Sequence, residues 1–147
     1  MKKIYSLILF LAILLGGCTQ NNGHIGPIFG TWALVEVTLD GEPQPLSVET
    51  MFSFQNEIVK VTRLVNYPFE REDRFGNFHI TDDTLVMEFQ NKPTESGSHM
   101  YMYPEWIPFP GDGKPVVFDI RQLNGRKMVL DLDSDGHRYT YEFDKTW

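Results

Sequence analysis

The chain has 147 residues, one cysteine and a formal net charge of −7, with 20 acidic against 13 basic side chains. That length supports one domain around one core, and the acidic balance argues against nucleic acid or an anionic membrane surface as a partner. A lone cysteine excludes an internal disulfide, and His24, His79, His99 and His137 are too scattered to form a metal-ligand spacing.

Residues 1–17 have the layout of an export signal: Lys2 and Lys3, an apolar run over 4–15, then Gly16 and Gly17. The run is shorter than the roughly 20 residues a permanent membrane helix needs. Leu15-Gly16-Gly17-Cys18 resembles the bacterial lipobox, whose cysteine is acylated after cleavage and becomes the new N-terminus. The resemblance implies a lipid anchor at Cys18, with palmitate among its chains, and a membrane partner through that anchor. Thr19, in place of Asp, implies sorting to the outer membrane. Residues 18–29 read as the acylated cysteine and a Gly-rich tether, and 30–147 as a single folded domain. The tether lacks an acidic surface-export cluster, so the periplasmic face is expected. Loss of Lys2 and Lys3 takes the formal charge from −7 to −9.

From Gly30 onward the apolar period is two, as in strands. The opening strand runs from Gly30 to Leu39, and residues 45–50 leave room for one short helical turn. A turn at Asn56-Glu57 pairs Phe54 with Val59 and Phe52 with Val61, apolar facing apolar. A turn at Asp82-Asp83 sets Ile80 opposite Leu85 and Phe78 opposite Met87, with His79 outward. A three-residue loop with Gly125 left-handed pairs Ile120 with Met128 and Phe118 with Leu130. The expected fold is all-β: about eight antiparallel strands in an up-and-down meander closed as a barrel, the alternative being a two-sheet sandwich.

Gly30-Thr31-Trp32 opening the first strand resembles the lipocalin signature, and residues 118–145 resemble the ending of lipocalin-like lipoproteins of gut Gram-negative anaerobes. The resemblance implies that Trp32 packs across the closed end of the barrel against an arginine of a late strand. Arg121 and Arg138 both remain open for that role.

Residues 91–114 are too long for a hairpin loop, and 100–110 are dense in aromatics and proline. This insertion reads as a lid over the mouth or as a platform for a partner, with Tyr101 and Trp106 as its candidate contacts. Barrel-wall candidates are Phe52, Phe54, Phe78, Met87 and Phe118, joined on the last strand by Tyr139, Tyr141 and Phe143. The two tyrosines carry hydroxyls that seek a partner when buried. No nucleophile–base pattern or cofactor motif is present, so no enzyme and no cofactor are expected. Two functions compete: a small hydrophobic or amphipathic ligand held in the barrel, and a protein partner docked on the aromatic insertion.

Asp131, Asp133, Asp135, Gly136 and Glu142 match an EF-hand calcium loop, but the flanks alternate as strands. Asp135-Gly136 is instead a hairpin signal that faces Leu132 with Tyr139, Leu130 with Tyr141 and Asp133 with Arg138. No metal site is expected there.

Overall fold

The computed structural model describes residues 26–65, 70–90, 92–108 and 114–146. The leader, Cys18, His24 and residues 109–113 of the insertion lie outside these. Among the described residues, the alternating stretches form nine strands: β1 (Gly30–Leu39), β2 (Glu42–Pro43), β3 (Glu49–Gln55), β4 (Ile58–Val65), β5 (Glu70–Ile80), β6 (Thr84–Glu88), β7 (Val116–Leu123), β8 (Lys127–Ser134) and β9 (His137–Lys145). All except β2 form an antiparallel meander, and β1 pairs with β9 from Trp32↔Lys145 to Leu39↔Tyr139. That last ladder distinguishes a closed eight-stranded barrel from a sandwich, because it removes both edges.

Hairpin registers follow from apolar parity. Phe54 lies opposite Val59, Phe52 opposite Val61, Phe78 opposite Met87, and Leu132 opposite Tyr139. Asn56 and Glu57 have φ of 48° and 64°, and Asp135 and Gly136 have 52° and 81°, the positive pairs that tight hairpins require. Asp40 and Gly41 form a further such turn, which adds the short strand β2 to β1.

Two expectations are corrected. Residues 45–50 make no helical turn: 44–48 are irregular and Glu49 already starts β3, since Pro45 cannot supply a helical N–H and Thr50 belongs to the strand face. The β7–β8 register also differs, with Ile120 opposite Leu130 and Leu123 opposite Met128 around a bulge at Arg121. Gly125 is not left-handed. Asn124 makes the turn instead, its side-chain oxygen accepting from the Arg126 and Lys127 amides at 2.8 and 2.9 Å. The bulge returns Leu123 to the inner face and turns Arg121 outward to Asp131.

The closed end is packed with rings. Trp32 has no exposed surface and donates from its indole N–H to the Ile28 carbonyl at 2.8 Å. Phe52 meets Phe143 edge-on at 5.0 Å, and Phe54 meets Phe78 edge-on at 5.0 Å. The cation over Trp32 is neither Arg121 nor Arg138 but Lys145, 4.7 Å from the ring centroid. Lys145 sits opposite Trp32 in the β1–β9 ladder and also donates to the Pro27 and Phe29 carbonyls. Burial holds its pKa below the usual amine value.

Two aspartates of the calcium-like stretch are taken up by arginines, and Asp135 makes the turn. Asp131 pairs with Arg121 and Thr140, and Asp133 with Arg138 at 2.8 Å. Among the described residues, no three His, Cys, Asp or Glu side chains converge to hold a metal.

Candidate functional site

The end of the barrel opposite Trp32 is bounded by the β1–β2 turn, the Asp135-Gly136 turn and the insertion between β6 and β7. There the wall is not apolar. Val61 lies opposite Arg74 and Arg63 opposite Glu72, so the same parity that buries Val61 points both arginines inward. Arg74 is only 5% exposed. Glu72 pairs with both guanidinium groups, which leaves two cations and one anion on the wall itself.

The insertion closes this end in two stages. On leaving β6, the chain returns between β5 and the extension of β6: the Phe75 amide donates to Met100 O and the Gln90 amide to Tyr101 O, both at 2.7 Å. This wedge fills a gap in the wall, because β5 and β6 pair only from Asn77↔Glu88 to Ile80↔Leu85. Residues 103–108 then cross the mouth as a strap. At one end Glu105 accepts from Arg74 Nη2 at 2.9 and 3.2 Å. At the other the Tyr141 hydroxyl donates to the Pro108 carbonyl at 2.6 Å. Arg74 is on β5 and Tyr141 on β9, diametrically opposed strands of the closed order, so the strap spans the barrel.

Between these moorings Ile107 enters the core and Trp106 packs against it. The Trp106 ring lies 4.9 Å from the Arg63 guanidinium carbon and 5.1 Å from that of Arg74, held by both cations. Among the described residues, three buried donors here have no hydrogen-bond acceptor: Arg63 Nε, Arg74 Nε and Trp106 Nε1. Buried polar atoms are nearly always paired, so three orphan donors around one ring mark a site shaped by something besides stability.

Burial pushes the Tyr141 hydroxyl well above its ordinary pKa of 10, keeping it a neutral donor. Because the folded value is raised, its contribution is fully present below pH 10 and is lost as the unfolded chain ionises above it. Unfolding stability is therefore expected to fall above pH 10 by up to about 1.4 kcal/mol per unit from this residue. Tyr141→Phe should flatten that limb in denaturant titrations and cost about 1 kcal/mol at neutral pH through the Pro108 bond.

The sequence-derived candidates separate into three places. Phe54, Phe78 and Phe143 lie in the ring-packed closed half, with Gly30 and Trp32 beneath them. Tyr139 and Tyr141 lie in the mouth half with their rings stacked 6.4 Å apart, and Trp106 lies in the same half beside Arg63 and Arg74. Tyr101 sits on the outer wall beside Phe75 and is 44% exposed. With Ile58, Gly76, Phe89 and Met100 it lines a cleft of about 480 Å³ along the β5–β6 seam, outside the barrel. Cys18 lies outside the described residues. Arg63, Glu72, Arg74 and Glu105 were not singled out by sequence pattern. The available signal was parity: position 74 shares a face with Phe78, and 63 with Val59 and Val61.

The comparisons agree with this architecture. A family model described as a lipocalin-like domain matches residues 12–145. An uncharacterized protein from Bacteroides eggerthii DSM 20697 is similar in structure, with 22% identity and a TM-score of 0.57, over 80% of this chain and 98% of that one. A lipocalin-like protein from Bacteroides uniformis ATCC 8492 is similar at 17% identity and a TM-score of 0.55, over 79% of this chain and 97% of that one. A search of curated proteins gives no significant match. On the match from residue 12 to the end of β9, the chain belongs to the lipocalin-like domain family.

Proposed function

We propose that this protein is an envelope lipoprotein, anchored to the outer membrane through acylated Cys18, whose barrel binds a small hydrophobic or amphipathic ligand and catalyses no reaction. The observation that carries the binding reading is the occupancy of the mouth half. Wall side chains fill the Trp32 half, whereas in the mouth half the wall residues Tyr139 and Tyr141 share the interior with Ile107 and Trp106 of a strap. A strap can withdraw where a wall side chain cannot, and an eight-stranded barrel holds either packed side chains or one small ligand. Tyr139, Tyr141 and Trp106 are the proposed contacts, and Phe54, Phe78 and Phe143 the floor beneath them. The anchor is supported by the order of charge, apolar run and Gly16-Gly17-Cys18 in the leader, and the periplasmic face by the tether composition.

The test is native mass spectrometry of the mature protein purified from membranes. A diacylated Cys18 and a co-purifying small molecule released by unfolding are expected. A bare protein that also fails to take up an apolar probe would overturn the binding reading. A second reading, a protein partner docked on the insertion, is favoured by one observation. Met100 and Tyr101 are 45% and 44% exposed beside the seam cleft. A stable protein complex in the same spectra, lost on Tyr101→Ser, would support it.

A further inference from the structure

We infer that the mouth half selects an acidic amphiphile, its carboxylate held by Arg63 and Arg74 in the place Glu105 now takes. This rests on the ligand-binding reading above and narrows it to a chemical class.

Charge is the first argument. Among the described residues, the wall brings Arg63 and Arg74 together with only Glu72 between them. The balancing charge comes from Glu105, which is on the strap and has a side chain 64% exposed. In a chain of net charge −7, an inward-facing excess cation is against the trend of the whole surface. Arg74 is more than nine-tenths buried, where an unneutralised cation is costly. The site therefore has a standing requirement for one anion from outside the wall.

The second argument is hydrogen bonding. The unpartnered atoms at this point, Arg63 Nε, Arg74 Nε and Trp106 Nε1, are all donors. A pocket with surplus donors is complementary to a group that only accepts, and a carboxylate offers several lone pairs in a plane that matches a guanidinium edge.

The third is the shape of the present occupant. Glu105-Trp106 presents a carboxylate followed by a flat apolar body, held between two guanidinium groups. An acid with an apolar tail replaces that pair group for group: carboxylate for carboxylate, and tail for indole and Ile107. The strap thus competes with the ligand from within the chain, and the competition is set by Glu105.

Fluorescence titration of the full chain with cis-parinaric acid and with its methyl ester, which has the same tail and no charge, tests this. The acid is expected to bind about tenfold tighter than the ester, the usual range for a charge-assisted pair of bonds. Glu105→Gln should raise the acid-to-ester ratio several-fold by removing the competing carboxylate. Arg74→Met should bring the ratio close to one; should that variant not fold, Arg63→Gln on the less buried arginine provides the same reading. Equal binding of acid and ester in the parent, unmoved by Glu105→Gln, overturns the inference while leaving the ligand reading intact. Binding of neither probe removes both.

Discussion

Trp32→Ala is expected to destabilise the barrel by about 4 kcal/mol, the range measured when a fully buried large aromatic is truncated. Trp32 has no exposed surface and lies at the closed end, where its neighbours are strand-borne and cannot collapse into the space. Its indole also accounts for the Ile28 carbonyl, and its ring face lies under the Lys145 ammonium. Losing the ring leaves that partly buried cation with backbone carbonyls alone. Against a typical total of about 5–15 kcal/mol, such a loss consumes much of the stability. A urea titration should show a large drop in midpoint at unchanged slope. Trp106→Ala provides the contrast: it is only partly buried, on the strap, and its N–H has no acceptor to lose among the described residues. We expect it to cost less than about 1.5 kcal/mol. Equal losses for the two tryptophans would contradict the division into a structural floor and a replaceable plug.

Gly76→Ala is expected to cost about 3 kcal/mol. A Cβ at position 76 would lie 2.6 Å from the Glu88 carbonyl oxygen and 2.9 Å from the Phe89 ring. The ring can rotate, but the carbonyl is backbone at the point where the β5–β6 ladder ends, so the strands themselves must separate. The added strain falls on the wedge at Met100 and Tyr101, whose two amide bonds to Phe75 and Gln90 fill the gap. Adding Phe89→Leu to Gly76→Ala should recover only part of the loss, since it relieves the ring and not the carbonyl. Full recovery in thermal unfolding would show that the ring contact, and not the strand approach, requires glycine here.

The lower barrel was legible because its information is local. Phe52, Phe54, Val59 and Val61 share one parity around a tight turn, and so do Phe78, Leu85 and Met87. Only one register satisfies each set. The bulge at Arg121 was not legible from parity alone, because inserting a residue preserves an alternating look on both sides. The lipocalin resemblance implies an arginine over Trp32, whereas the β1–β9 register places Lys145 there. The site itself was least legible. Residues 70–74 are all charged and show no apolar alternation, yet they belong to the upper half of β5, and Arg74 points into the barrel. Inward charges look like surface in a sequence because alternation is read from apolar residues. The insertion was visible as an apolar anomaly, but its moorings on β5 and β9 are contacts across the whole barrel that no spacing encodes.

The central claim is that the strap, and not the wall, occupies the ligand's place. It is tested most directly by fluorine NMR of the protein with its three tryptophans replaced biosynthetically by 5-fluorotryptophan, titrated with cis-parinaric acid. The Trp106 resonance, assigned by its loss in Trp106→Phe, should move to a solvent-exposed shift as the acid saturates, while the Trp32 resonance stays in place. Saturable binding with Trp106 unmoved, or with Trp32 moving instead, would contradict the account.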